Sequence, residues 1–105
     1  MPVSVARAAT LEVARAADGL ETARPGYGRR LREAYRRALR RLDDTPQFFP
    51  PEEDAPAGYE VRYVELARYN YRVIFAVLGD VKLVVAVAHN SQEPGYWLDR
   101  LPPAA

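Results

Sequence analysis

Two stretches in the first half of the chain repeat apolar residues at intervals of four, three and four positions. The first set is Ala9, Val13, Ala16 and Leu20. The second set is Leu31, Tyr35, Ala38 and Leu42. These intervals place side chains along one face of an amphipathic helix. Residues 24–28, Arg-Pro-Gly-Tyr-Gly, break the pattern between the two stretches. The sequence therefore predicts two helices joined as an antiparallel hairpin.

The second half of the chain alternates with a period of two, which is typical of strands. Residues 59–67, 69–78 and 81–88 are rich in aromatic and aliphatic residues, and Gly79-Asp80 predicts a tight turn between the last two segments. A short strand within residues 2–7 precedes the helices. The order β-α-α-β-β-β predicts an α+β fold, with the N-terminal helical hairpin packed on one face of a small antiparallel sheet.

The two faces of the predicted sheet differ in what they carry. We expect the bulky face to lie beneath the helices, and it comprises Tyr69, Tyr71, Val73, Phe75 and Val77. The opposite face would be semi-open and mildly cationic, and it would display Arg62, Asn70, Arg72, Lys82 and Asn90. Its apolar positions are Ile74, Ala76, Val84 and Ala86. An uncovered apolar strip of this kind suits an amphipathic segment of a partner chain.

The composition excludes several kinds of catalytic and metal-binding site. A chain of 105 residues makes a single domain, 1–105, and the absence of cysteine excludes disulfides, thiolate metal sites and a cysteine nucleophile. His89 is the only histidine, so paired-histidine metal motifs are also excluded. We expect no cofactor and no metal. Because the longest apolar runs are short and no signal peptide is visible, we also expect no membrane association and a cytoplasmic location.

Charge is segregated along a chain whose net charge is only +1. Residues 24–42 carry eight arginines and one glutamate, whereas residues 43–60 carry six acidic residues and no cation. The acidic stretch includes a proline-rich part, residues 46–58, that predicts an irregular loop. Neighbouring blocks of opposite sign either neutralise each other in space or address different partners. The arginine-rich helix face is thus either a solvated face or one that meets the acidic block or a partner.

Four segments, in one order along nearly the whole chain, carry a family resemblance. The first combines Ala9, Glu12, Val13, Ala16 and Glu21 with the Arg-Pro-Gly-Tyr-Gly-Arg-Arg-Leu turn of residues 24–31. The second is Pro46-x-x-Phe49-Pro50, and the third is Tyr-Asn-Tyr-Arg-Val-Ile-Phe at residues 69–75. The last is Val-Ala-Val-Ala-His at residues 85–89, followed by Pro94-Gly95-Tyr96-Trp97 and Arg100. Together they resemble the toxins of the RelE/ParE superfamily, the toxic halves of type II toxin–antitoxin pairs.

The resemblance implies a small bacterial cytoplasmic toxin that a cognate antitoxin holds inactive. It also implies that the chain assembles either as a homodimer or as a toxin–antitoxin hetero-oligomer. RelE-like members cleave mRNA on the ribosome, and ParE-like members act on DNA gyrase. In the RelE-like site, Arg72 matches the arginine of the third strand and Tyr96 matches the C-terminal tyrosine. The second-strand lysine positions fall at Tyr63 and Glu65, and the fourth-strand arginine position falls at or beside Asn90. A carboxylate in place of a cation repels phosphate, so the ribonuclease site is depleted.

The tail from His89 to Trp97 resembles the ParE-like members more closely, although Ser91-Gln92 stands where they have an arginine pair. Three hypotheses follow: a gyrase inhibitor that acts by binding, a ribosome-dependent endoribonuclease that uses Arg72 and Tyr96, and a non-toxic member that only binds its antitoxin. The residues expected to bind the target or the antitoxin are Arg62, Arg72, Ile74, Val84, His89, Asn90, Tyr96, Trp97 and Arg100.

Several of these residues also have a structural interpretation. Arg72 suits a cross-strand ion pair with Glu60 or Glu65. His89 at a strand end suits a hydrogen-bonding role. Tyr96 and Trp97 suit residues that pin a terminal segment to the core.

Overall fold

The computed structural model describes residues 2–44 and 49–103, and its elements follow the predicted order. The helices are α1 (Arg7–Ala23) and α2 (Tyr27–Asp43), and the strands are β1 (Val3–Val5), β2 (Glu60–Leu66), β3 (Tyr71–Leu78) and β4 (Val81–His89). Short 3-10 turns span Ala67–Tyr69 and Leu98–Arg100. The α+β fold with an N-terminal helical hairpin on a small sheet is confirmed. Pro46, part of one motif segment, lies outside the described residues.

Within the described residues the strands form one sheet in the order β1-β4-β3-β2. The predicted antiparallel pairing holds for β2, β3 and β4. β1 pairs with β4 in parallel, from Val3 beside Lys82 to Val5 beside Val84, so the sheet as a whole is mixed. A parallel pair requires a long crossover, and the helical hairpin provides one.

The helices cover the face of the sheet that the sequence predicts. Val73 and Phe75 are fully buried beneath the stripes of both helices, and Tyr69, Tyr71 and Val77 pack at the margin of the same cluster. The hairpin is tight where α2 begins: Gly26 has φ 89°, and the Glu21 carboxylate accepts the N–H groups of Gly26 and Gly28. A carboxylate at the start of a helix satisfies N–H groups that have no helical partner.

Three residues that were expected on the opposite face of the sheet lie on the helix side instead. Val84 and Lys82 lie on the helix side, because a bulge places Val85 between the registered pairs Ile74–Ala86 and Phe75–Val84 and so reverses the alternation along β4. The Lys82 Nζ is buried and donates to the Leu42 carbonyl at the end of α2, at 2.7 Å. Arg62 also lies on the helix side, since it is registered with Phe75.

The expectation of a semi-open opposite face is also wrong. Val61, Ile74, Ala76 and Ala86 on this face are buried, and they pack with the fully buried indole of Trp97. The chain covers the face with its own segments, which contribute Ala55, Tyr59, Tyr96 and Leu101. The Tyr59 hydroxyl also donates to the Pro102 carbonyl. An apolar face of this size in a small domain is more stable when it is covered, and residues before β2 and after β4 do this.

No helix in the described part of the chain is both long and apolar enough to span a membrane.

Candidate functional site

A cluster centred on Glu12 joins α1 to the C-terminal segment. The Glu12 carboxylate accepts hydrogen bonds from the Tyr96 hydroxyl at 2.6 Å and from both terminal nitrogens of Arg100 at 2.8 and 3.2 Å. It also accepts the Val87 N–H at 3.0 Å, while Arg100 donates to the Val85 carbonyl at 3.1 Å. The structure therefore brings two predicted residues, Tyr96 and Arg100, to one place.

This cluster closes the part of the β4 edge that β1 leaves open. β1 registers only with residues 82–84 of β4, so the edge groups of Val85 and Val87 have no strand beside them. The Arg100 guanidinium and the Glu12 carboxylate bond to those groups as a neighbouring strand would. Sequence analysis named Glu12 only as part of the first motif segment and did not include it among the candidate site residues. The sequence feature that could have identified Glu12 is its position in the first motif segment, one helical turn from the stripe residue Ala16.

The electrostatics of the cluster keep Tyr96 protonated. Burial, the hydrogen bond to Glu12 and the charge of that carboxylate raise the pKa of Tyr96 well above its ordinary value. The hydrogen bond to Glu12 likewise raises the pKa of Arg100. A phenol that donates to a carboxylate does not act as a general base near neutral pH. The arrangement holds segments together and does not prepare Tyr96 for proton abstraction.

His89 lies beside this cluster, on a groove of about 310 Å³ that Glu12, Arg15, Tyr71 and Gln92 also line. Its ring meets Tyr71 edge to face, with centroids 4.9 Å apart. The His89 Nδ1 accepts the Ser91 N–H at 3.1 Å, which assigns the proton of a neutral ring to Nε2.

Ser91 and Gln92 close the turn after β4. The Ser91 hydroxyl lies 2.6 Å from the His89 Nδ1, and the Gln92 side chain accepts the His89 N–H at 2.8 Å. These contacts support the structural interpretation of His89 as a hydrogen-bonding residue at a strand end. The ring is only partly exposed, and the neighbouring Asn90 is exposed.

Arg72 forms an ion pair on the opposite face of the sheet. Its Nη1 lies 3.0 Å from a carboxylate oxygen of Glu52, a residue only 4% exposed, and its guanidinium lies over the Tyr63 ring. Burial raises the pKa of Glu52, and the charge of Arg72 opposes that rise. The expected cross-strand ion pair of Arg72 with Glu60 or Glu65 is wrong, because Arg72 pairs with Glu52, which precedes β2, and Glu60 pairs with Arg62 at 2.8 Å.

The remaining candidates differ in accessibility. Ile74, Val84 and Trp97 are at most 1% exposed, so a partner reaches them only if the fold opens. Arg62 is half-buried and also donates to the Phe49 carbonyl at 2.7 Å. Of the nine candidates, Asn90 alone is largely exposed, while His89 is partly exposed and lines the groove described above.

The partners of Glu52 and Glu60, two carboxylates of the acidic block, lie outside the arginine-rich face of α2. Glu52 and Glu60 pair with Arg72 and Arg62, neither of which belongs to α2. Arg29 pairs with Glu33 within the helix at 3.2 Å, and both side chains are largely exposed. α2 carries seven arginines and two acidic residues, so its net charge is strongly positive.

Across residues 2–44 and 49–103, no group of three or more acidic or histidine side chains is placed to hold a metal ion. A scan against protein-family models finds no match, and a search of curated proteins finds no significant relative.

Proposed function

We propose that the protein is a ParE-like toxin of a type II toxin–antitoxin system, which inhibits DNA gyrase in the bacterial cytoplasm by binding and is neutralised by a cognate antitoxin. Two lines support the proposal: the four motif segments in order, and the helical hairpin on a small sheet that the resemblance implies. The observation that favours binding over catalysis is that carboxylates of the chain hold both candidate ribonuclease residues, Arg72 and Tyr96.

Metal-free RNA cleavage needs a general base and several fixed cations around the phosphate. The Arg72 charge is already opposed by the buried Glu52. The phenol of Tyr96 is held protonated by Glu12, as its raised pKa indicates. Tyr63 and Glu65 stand where a RelE-like enzyme has lysines, and Glu65 adds a repulsive charge. A binding inhibitor needs none of this chemistry.

Inhibition by binding needs an accessible and shaped surface. The groove beside His89 offers one, with Arg15, Tyr71 and Gln92 in its lining and Asn90 next to it. These groups combine a cation, two aromatic rings and hydrogen-bonding side chains, a mixture that protein interfaces favour. We therefore assign target contact to this groove rather than to the covered face of the sheet.

Induced expression in bacteria tests the proposal. Growth arrest with cleaved, topoisomerase-linked DNA is the expected result, whereas transcripts cut within codons would establish the ribonuclease instead. Unimpaired growth at a verified protein level would leave only an antitoxin-binding role and contradict the proposal.

Two variants separate the mechanisms. The double variant Arg72→Met with Glu52→Gln removes both charges of the ion pair together, and we expect growth arrest to persist in it. His89→Ala with Asn90→Ala should relieve the arrest. A matched control is Asp80→Ala in the exposed β3–β4 turn, which should leave the arrest unchanged.

A further inference from the structure

The half of α2 that faces away from the sheet is lined with arginines. The sheet side of the helix is apolar and buried, and its stripe comprises Leu31, Tyr35, Ala38 and Leu42. The far side repeats the same intervals along the chain, and its residues, which we call the outer stripe, are Arg29, Glu33, Arg36 and Arg40. Arg30 and Arg37 flank the outer stripe, and both are exposed. One side of the helix is therefore fixed to the core, and the other side presents cations.

The arginines of this surface outnumber the carboxylates among them. Arg36, Arg37 and Arg40 enter none of the ion pairs that residues 2–44 and 49–103 form with one another. The outer stripe contains a single acidic residue, Glu33, which pairs with Arg29 at 3.2 Å. Five arginines against one glutamate leave the outer stripe and its flanks with a net charge of +4.

Two further arginines of α2 contact other groups and are not part of this surplus. Arg32 lines a depression together with Asp18 and Glu21 of α1, whose charges oppose it. The Arg41 guanidinium lies over the Phe49 ring, 5.6 Å from its centroid.

The surroundings of the outer stripe limit the cationic surface without cancelling it. On the β2 side, Glu65 and Arg68 line one groove and have opposite charges. At the C-terminal end of α2, Asp43 and Asp44 follow the last arginines and mark the end of the surface. Residues 45–48 are Thr, Pro, Gln and Phe, so they bring no carboxylate side chain.

The composition of the surface decides which kind of polyanion it suits. Among the described residues, the large hydrophobic side chains that are exposed are Leu11 and Leu98, and neither lies on α2. A protein interface has an apolar core, and a membrane-bound helix needs an exposed apolar face, so the surface suits neither. Of the two aromatic residues of α2, Tyr35 is buried and the Tyr27 ring already contacts two guanidinium groups. A single-stranded nucleic acid, which binds by stacking its bases on aromatic side chains, therefore lacks a platform.

The shape of the surface favours duplex DNA. Arg29 and Arg40 are about 16 Å apart along the helix axis, which corresponds to about five base pairs of B-DNA. The major groove of B-DNA admits an α-helix, and phosphate backbones form both of its rims. The major groove of an RNA duplex is too narrow for side chains to enter. Arginine suits this role because its planar guanidinium donates paired hydrogen bonds to phosphate oxygens.

We propose that the outer stripe of α2 and its flanking arginines bind the phosphate backbone of duplex DNA without reading its base sequence. α2 has a net charge of +5, whereas the rest of the chain sums to −4, so the field of the protein directs DNA to α2. If the proposed function holds, this DNA is the segment that gyrase holds, and only that identification rests on the proposed function.

Fluorescence anisotropy of the purified chain with a labelled DNA duplex of about 20 base pairs tests the proposal. Binding releases counterions from the phosphates, so the logarithm of the dissociation constant should rise with the logarithm of the salt concentration with a slope of about 4. Two duplexes of unrelated sequence should bind within about threefold of each other, because phosphate contacts carry no sequence information.

Single variants locate the contact on the helix. Arg36→Gln and Arg40→Gln should each weaken binding by about tenfold at low salt and lower the slope by about 1. Arg36→Lys and Arg40→Lys keep the charge and should stay within about threefold of the natural chain. The matched control is Arg7→Gln, the same change at an exposed residue of α1, which should leave both quantities unchanged.

A variant that gains affinity separates a binding role from a structural one. Glu33→Gln removes the one carboxylate of the outer stripe and should tighten DNA binding by about threefold or more. Its matched control is Glu93→Gln in the exposed turn after β4, which should have no effect.

Three results would overturn the proposal. The first is no DNA binding at about 50 mM salt, where phosphate contacts are strong. The second is binding that none of the α2 variants changes. The third is binding of an RNA duplex, a single strand, polyglutamate or an anionic lipid vesicle at least as tightly as duplex DNA.

The DNA and growth assays fail independently, because the anisotropy experiment contains no gyrase. Growth arrest by a chain that does not bind DNA removes the α2 assignment alone. DNA binding by a chain that does not arrest growth removes the toxin proposal alone.

Discussion

Glu12 is expected to be the residue whose removal most weakens the attachment of the C-terminal segment. Its carboxylate accepts bonds from Val87, Tyr96 and Arg100, and its side chain is only 15% exposed. Hydrogen bonds to charged groups contribute about 1.5–3 kcal/mol each, but they are not additive when they share one acceptor. We therefore expect Glu12→Ala to lower the free energy of unfolding by about 3 kcal/mol, because it leaves three donors short of a partner.

A double-mutant cycle isolates the ion pair itself. Arg100→Ala should cost about 2 kcal/mol, since the Val85 carbonyl also loses its donor. The double variant should cost less than the sum of the two changes, with a coupling energy of about 1.5 kcal/mol. The matched control is the Arg29–Glu33 pair, which is largely exposed and should couple by less than about 0.5 kcal/mol.

Urea denaturation followed by tryptophan fluorescence measures these energies. Trp97 is the only tryptophan, and it is a buried residue of the same segment, so its fluorescence reports detachment of that segment directly. Circular dichroism should give coincident transitions if unfolding is two-state. A Glu12–Arg100 coupling no larger than that of the control pair would refute the reasoning.

Three further predictions concern packing and charge. Gly28→Ala should destabilise the hairpin by about 1–3 kcal/mol, because a β-carbon there would lie 2.5 Å from the Ala17 carbonyl oxygen. Gly19→Ala has open space, and thermal denaturation should show it stabilised by up to about 1 kcal/mol; equal effects of the two changes would contradict this packing. Trp97→Ala should cost about 3–5 kcal/mol in chemical denaturation, and a cost below about 1 kcal/mol would show that the indole is not part of the core. The raised pKa of Glu52 means that its contribution to stability is fully present below the ordinary glutamate pKa and is lost as pH rises through the raised value. The stability of the natural chain relative to Glu52→Gln should therefore fall as pH increases above about 4.5, and a relative stability that rises with pH would reverse that assignment.

The sequence predicts the helices, the main strands and the helix-covered face correctly because these depend on local periodicity. Leu31 and Tyr35 occupy the helical stripe, and Val73 and Phe75 alternate with a clear period of two. The bulge at Val85 could not be predicted, because nearly every residue of β4 is apolar. Without alternating polar and apolar positions, the sequence does not show where the two faces of the strand change over. The misplacement of Val84 and Lys82 follows from that one residue.

The covering of the opposite face of the sheet depends on contacts that no local sequence pattern shows. The Pro94–Arg100 region has no helical or strand periodicity, so its docking through Trp97 depends on the shape of the finished sheet. The structural interpretation of Tyr96 and Trp97, as residues that pin a terminal segment, agrees with their contacts.

The residues that pair in the candidate site are likewise far apart in the sequence. Glu12 meets Arg100 across 88 positions, and Glu52 meets Arg72 across 20. Residue types and motif order identified the arginines and the tyrosine as candidates. They did not identify the carboxylates that hold them, because a carboxylate on a polar helix face or in an acidic loop has the same sequence signature whether or not it is paired.

The central claim, inhibition of gyrase by binding, is tested most directly by adding the purified chain to a reconstituted DNA supercoiling reaction. The account predicts that supercoiling stops as the chain approaches the concentration of gyrase, while mRNA on translating ribosomes stays intact. Supercoiling at an undiminished rate in a large excess of the chain, together with cut ribosome-bound mRNA, would contradict it.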